Sequence, residues 1–258
     1  MANHQPEPPA GAGTDPAALE AALEDFHSVS YLRHNARRLE HLASLGLPVH
    51  GRTVLELGAG IGDHTTFFLD RNCAVTAVEP RPENCTLLAS MMHERRREGY
   101  EAADRCRILR ADALSFESAI EERFDIVHCY GLLYHTDDPA SVLAAIARKC
   151  SDLLLLETCV AFGSHEAINP VPERAHVATQ SVSGVGCRPT RPWLFKQLSA
   201  LFPHVYLPRT QPAHEDFPLD WTAPLPDSRD ARAVFIASRQ TLDSPMLLDH
   251  VPNQQTPN

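Results

Sequence analysis

The sequence predicts an α/β fold: a doubly wound, mostly parallel sheet of seven strands, its last strand antiparallel, with an N-terminal helical cap and a long lid after the fifth strand. Three observations carry this. β-branched and leucine-rich runs alternate with helix-patterned stretches between residues 53 and 157. The first run, Thr53-Val54-Leu55, feeds Glu56-Leu57-Gly58-Ala59-Gly60-Ile61-Gly62-Asp63-His64, three glycines at alternate positions leading into a helix. Two later runs are tipped by acids, Glu79 and Asp112.

Taken in order, residues 16–45 are helical in composition, and His27, Tyr31, His34, Arg38 and His41 recur there at helical spacing. Strand Thr53–Leu57 then alternates with a helix over 64–71, strand Ala74–Glu79, a helix over 82–98, a strand over 107–110, a short helix over 115–121 and a strand over 124–129. The run Thr136-Asp137-Asp138-Pro139 gives an N-cap and a first-turn proline to helix Pro139–Lys149, and a strand over 152–157 follows. Residues 158–189 show no period and are dotted with Gly, Ser, Pro and His. Loops beyond roughly 12–15 residues in a compact domain are commonly lids or binding loops. This one leaves the carboxyl edge of a strand, where open α/β sheets bind ligands. Thr190-Arg191-Pro192-Trp193 opens helix Arg191–Leu201, and strands over 204–207 and 233–238, bridged by the Pro-rich 208–230, finish the sheet as an antiparallel hairpin. One domain therefore spans 16–239 with its lid at 158–190, between a disordered leader over 1–15 and a flexible tail over 240–258.

Composition narrows the function. A chain of 258 residues with 43% hydrophobic and 22% charged residues supports one ordinary globular core. Its net charge of −10 gives no general phosphate-backbone footprint, so nucleic acid is not the expected partner. Arg95-Arg96-Arg97 sits between Glu94 and Glu98 and reads as a solvated helix face. Seven cysteines without C-x-x-C spacing, mostly in apolar runs, point to small core hydrophobes in a reducing, cytoplasmic setting. No run reaches membrane-spanning length. Fourteen histidines form no H-x-x-x-H with a carboxylate nearby, so no metal is expected. The expected partner is a small molecule, with the chain a monomer or homodimer.

The glycine loop separates two kinds of cofactor. A dinucleotide fingerprint places glycine where this chain has Asp63. Glu56, two places before Gly58, suits a ligand carrying positive charge, such as an ammonium and a sulfonium, better than a pyrophosphate. Glu79 is placed to accept from both hydroxyls of a ribose, and Asp112 to meet an adenine amine. Together these motifs resemble the class I S-adenosylmethionine (SAM) methyltransferase superfamily, and the resemblance implies a Rossmann-like fold with SAM as cofactor. It implies cofactor-binding roles for Glu56, Gly58, Gly60, Gly62, Glu79, Asp112, Ala113 and Tyr130, and for Tyr31 and Arg33 on a helix covering SAM.

In that superfamily the end of the fourth strand faces the reactive methyl. Here it reads Phe124-Asp125-Ile126-Val127-His128-Cys129-Tyr130-Gly131-Leu132-Leu133-Tyr134-His135. It lacks the N/D-P-P-Y/F run of enzymes that methylate base or glutamine nitrogens, and it has no carboxylate at the strand exit for metal-chelating transfer. Asp125 reads as packing, and Asp137/Asp138 as a helix cap. His135 is the expected general base, with an ordinary pKa near 6.5. Tyr130 and Tyr134 are expected at the sulfonium as phenols or ring faces. Arg188 and Arg191 are expected to clamp an anionic substrate. The function implied is methyl transfer to an oxygen or nitrogen of a small molecule of specialised metabolism. Two alternatives keep SAM: ring closure by SAM's own amine, as in the azetidine-2-carboxylate synthases that share this fold, and a non-catalytic SAM-binding subunit.

Overall fold

The computed structural model describes residues 15–177, 179–225 and 230–258; the expected leader lies outside them except for Asp15. Helix α1 (Pro16–Phe26) starts where the Asp15 carboxylate accepts from Ala17 N–H, and α2 (Val29–Ser44) where Ser28 Oγ accepts from Tyr31 N–H. Next come β1 (Thr53–Leu57), α3 (Thr65–Leu69), β2 (Ala74–Glu79), α4 (Pro82–Arg97), β3 (Cys106–Arg110), β4 (Phe124–Tyr130), α5 (Pro139–Lys149) and β5 (Cys150–Val160). The insertion carries β6 (Pro170–Pro172) and β7 (Val185–Cys187), then α6 (Arg191–Leu201), β8 (His204–Pro208), β9 (Thr210–Gln211), β10 (Ala231–Ser238), β11 (Leu247–Leu248) and β12 (Thr256–Pro257). The helix expected over 115–121 is a 3-10 turn, Phe116–Ala119.

The main sheet runs β11-β8-β10-β5-β4-β1-β2-β3. Strands β1 to β5 pair in parallel, and β10 lies antiparallel between β5 and β8. Both faces are covered, so strand side chains alternate between two cores rather than between core and water. Leu55, Leu57, Val127, Leu154, Leu156 and Phe235 pack toward α5 and α6. Val54, Val75, Ile126, Leu153, Leu155 and Ile236 pack on the other face with Phe68, Leu88 and Met92. Each such aliphatic burial contributes roughly 1.5–3 kcal/mol, which is why these runs read as near-continuous apolar stretches.

The sheet has eight strands rather than seven, because the tail is not loose. β11 caps the edge strand β8, β12 pairs with β9, and Gln255 accepts from Trp221 Nε1 at 2.8 Å and donates to Pro208 O at 2.6 Å. An edge strand offers unpaired N–H and C=O groups, and the tail's backbone and amides satisfy them; polar composition alone reads as disorder and misses this. Among the described residues no helix is long and apolar enough to cross a membrane.

Candidate functional site

Gly58 and Gly60 hold φ of +71° and +55° at the end of β1, a left-handed path that turns the chain at the sheet's carboxyl edge, where Gly58 N–H donates to Val78 O at 2.9 Å. Gly62 serves packing instead: a Cβ there would lie 2.3 Å from Leu88 Cδ1 and 2.7 Å from Met91 Cε on α4. The neighbouring strand end carries Glu79, 5% exposed. Its Oε2 accepts from Gly60 N–H at 2.9 Å, and its Oε1 from Arg81 N–H and Asn84 Nδ2, both at 3.1 Å. Burial pushes this carboxyl above its ordinary range, opposed by the Arg81 and Gly60 N–H groups.

A cavity of about 420 Å³ opens over these strand ends, lined by Tyr31, Gly58, Gly60, Glu79, Asp112, Ala113, Tyr130 and His135. Asp112 Oδ1 accepts from Leu114 and Ser115 N–H, both at 2.9 Å, leaving Oδ2 for a ligand. Residues 179–183 of the insertion line the opposite wall, and Arg81 Nη2 donates to Ala175 O and Gln180 O at 2.9 and 3.1 Å.

Behind it lies a polar recess of about 30 Å³ lined by Asn35, Arg38, Glu56, Asp63, His64 and His128. Glu56 accepts from Thr65 Oγ1 at 2.6 Å, and burial lifts its carboxyl to about 8. Among the described residues both ring nitrogens of His128 are buried without a hydrogen-bond partner, Nδ1 lying 3.9 Å from Glu56 Oε1, and burial lowers its pKa to about 3. Asn35 donates to Asp63 Oδ2 at 3.0 Å and accepts from Arg38. Two acids and a guanidinium thus share one small space. The fold also groups histidines that linear spacing keeps apart: ligand atoms of Glu56, His64 and His128, and of His34, His214 and Asp216, lie within 4.8 Å of one another in each set.

The catalytic corner is only partly as expected. Tyr130 lines the cavity, its buried hydroxyl without a hydrogen-bond partner among the described residues. Tyr134 does not line it: its OH takes a 3.0 Å hydrogen bond from Arg232 Nη2, and the guanidiniums of Arg232 and Arg188 sit 4.9 and 5.0 Å from its ring. That ring already holds two cations, so it is not available to a sulfonium. His135 does line the cavity, with Nδ1 on Glu173 Oε2. Arg33 faces away, in a two-pronged pair with Glu215 at 2.8 and 2.6 Å on the exposed side of α2. The anion clamp is also not formed. Arg188 is engaged by Glu173 and Asp230 at 3.5 and 2.7 Å, while Arg191 stacks 3.7 Å over Trp221, its pKa lowered to about 9 by burial. Asp125 and Asp138 do pack and cap: Asp125 accepts from Thr53 N–H at 2.9 Å, Asp138 from Ser141 N–H at 3.1 Å.

Sequence reasoning missed three members of the site's frame. Glu157 on β5, fully buried, accepts from Arg38 at 2.9 Å and Arg232 at 3.0 Å. Burial pushes its carboxyl up, and the two guanidiniums outweigh that and hold it below the usual range. A carboxylate closing the apolar run Leu153-Leu154-Leu155-Leu156 was the available signal, since a buried charge demands a partner. Glu173 and Asn35 carried no such mark.

Residues 55–152 match a family described as a methyltransferase domain. A ubiquinone biosynthesis O-methyltransferase of Paracidovorax citrulli (strain AAC00-1) is 31% identical over 144 residues, 53% of this chain and 58% of that protein, so the match spans a little over half of each. The N-terminal domain of EvdMO1, solved in the presence of SAH and D-fucose, aligns with a TM-score of 0.59 at 21% identity over 80% of this chain and 83% of that one. The Burkholderia thailandensis 1,6-didemethyltoxoflavin-N1-methyltransferase, with bound 1,6-didemethyltoxoflavin and S-adenosylhomocysteine, aligns at 0.54 and 20% identity over 92% and 94%. The chain shares the fold of these solved methyltransferases, and its residues 55–152 match the methyltransferase-domain family.

Proposed function

We propose that this protein is an enzyme that binds SAM across Gly58, Gly60, Glu79 and Asp112 and transfers its methyl group to an oxygen or nitrogen of a small molecule of specialised metabolism. The observation that carries this reading is the 420 Å³ cavity, which joins the glycine turn, the two acid-tipped strand ends and a histidine at the exit of β4. Ribose hydroxyls would replace Gly60 N–H as donors to Glu79, Asp112 Oδ2 would take the adenine amine, and the zwitterionic end of SAM would enter the recess with Glu56 and Arg38. The sulfonium supplies the activation; the protein aligns donor and acceptor, and alignment alone is worth roughly 7–11 kcal/mol. Free, mostly buried thiols suit a reducing compartment such as the cytoplasm.

Incubation with SAM alone and with candidate acceptors tests the reaction. S-adenosylhomocysteine forming only with an acceptor is the expected result. Methylthioadenosine accumulating from SAM alone would replace methyl transfer by ring closure. Binding without either product would leave a non-catalytic SAM-binding subunit.

A further inference from the structure

Resting on the methyl-transfer reading above, we propose that Glu173, carried by the insertion, is the positioning residue that fixes His135 as a base toward the cavity, so that the acceptor is one bearing a proton on its nucleophilic oxygen or nitrogen. His135 closes the short 3-10 turn Leu133–His135 at the exit of β4. Its Nδ1 meets Glu173 Oε2, and both side chains are largely buried, 12% and 6% exposed. The carboxylate is fixed from other sides too, by Ser181 N–H at 2.8 Å on Oε2 and by Arg188 Nη1 at 3.5 Å from Oε1. Among the described residues the imidazole's hydrogen bond is made at Nδ1 alone. A neutral ring that donates Nδ1–H to a carboxylate keeps Nε2 as its lone-pair nitrogen.

A second observation shows that the insertion is shaped for this contact. A Cβ on Gly186 of β7 would lie 2.5 Å from Tyr134 O and 2.6 Å from Glu173 Oε1. Only glycine lets the strand run this close to the turn that carries His135. The charged and titratable groups facing the imidazole are Glu173 and Arg188 from the insertion, Arg232 from β10 and Tyr134 from its own turn. Burial lowers the His135 pKa, Glu173 opposes this, and Arg232 and Arg188 add to the lowering, so the ring is neutral near pH 7.

The step balances without a further reactant. The acceptor's lone pair attacks the methyl carbon and the carbon–sulfur bond breaks. Its electron pair stays on sulfur, giving S-adenosylhomocysteine, while the acceptor's proton passes to His135 Nε2 and then to water.

Nitrogen NMR of protein labelled in its imidazoles tests the arrangement, with His135→Asn assigning the resonance. The wild type should show His135 protonated at Nδ1 and bare at Nε2 near pH 7.5. Glu173→Gln keeps an acceptor but loses the charge, so the His135 midpoint should fall by about one unit, a tenfold loss of proton affinity. Glu173→Ala should erase the tautomer preference, and Gly186→Ala, whose Cβ would collide with Tyr134 O and push the Glu173 carboxylate from its place, should do the same. An Nε2–H tautomer in the wild type, or an unchanged midpoint in Glu173→Gln, overturns the proposal. Calorimetry with SAM separates the two readings: Glu173→Gln, which keeps the acceptor for Ser181 N–H, should bind it as the wild type does, and a wild type that ignores SAM defeats methyl transfer while leaving the His135 result to stand.

Discussion

Glu79 is the side chain on which cofactor affinity should turn. Its oxygens are already aimed by Gly60, Arg81 and Asn84, so a ribose bound as proposed would meet a preorganised acceptor. Charge-assisted hydrogen bonds of this kind contribute roughly 1.5–3 kcal/mol each. Glu79→Ala should weaken SAM by at least about tenfold in calorimetry with circular dichroism unchanged, and undiminished affinity would remove the cofactor assignment. Glu56 has a different signature. Its folded pKa of about 8 lies above the ordinary 4.5, so between these values the folded state holds a proton that the unfolded chain has released. Stability therefore falls as pH rises through this window, and the loss is complete above about 8. Glu56→Gln should flatten that slope in thermal denaturation; a slope equal to the wild type's would place the titration elsewhere.

At the scale of elements, we propose that the insertion after β5 governs access. Residues 179–183 form a wall of the cavity, and the β6–β7 pair rests on the turn after β4. We expect it to close over bound SAM and keep water from the sulfonium. Hydrogen exchange over 158–189 should slow when SAM or its product is added, and by more than in 208–225; equal exchange with and without ligand would make the segment an interaction loop. The alternation of β-strand and helix patterns made the elements from β1 to α6 legible in sequence, because strands covered on both faces and proline-started helices leave local marks. The β6–β7 pair left none: two three-residue strands set by docking onto Tyr134 and Glu173 have no period to read. The same limit explains the site. Glycines and strand-end acids are local signals, whereas Glu215, Arg232, Asp230 and Trp221, which engage Arg33, Tyr134, Arg188 and Arg191, lie 30 or more residues away in the chain.

Across the whole molecule, one buried carboxylate ties the helical cap to both halves of the sheet. Glu157 on β5 joins Arg38 of α2 to Arg232 of β10, and Arg232 continues to Tyr134. Removing it leaves two guanidiniums in the core without their counter-charge, a loss of about 3–5 kcal/mol for a broken buried pair. Glu157→Ala should lower stability by that order in urea denaturation, and a change below about 1 kcal/mol would show that water reaches the pair. The polar-looking tail belongs to this scale too, since Ser44 of α2 donates to Asn258 at 2.5 Å and the last residues join cap and sheet edge.

The cysteines give the molecule a built-in clock. Six of the seven are buried, and burial raises the thiols of Cys106, Cys129, Cys159 and Cys187 to about 12. A thiol reagent acts on the thiolate, so at neutral pH these sulfurs stay silent until the chain around them parts. Their placement grades the openings. Cys85 on α4 is partly exposed and should label first, while Cys129 and Cys150 lie in the sheet and should wait for global unfolding. Cys187, on β7 with its Sγ 3.7 Å from Leu133 O, reports the insertion lifting from the β4 turn. Mass-resolved alkylation should therefore show Cys187 labelling between these two phases and slowing when SAM is present; labelling in step with Cys129 would mean that the insertion and the sheet open as one unit.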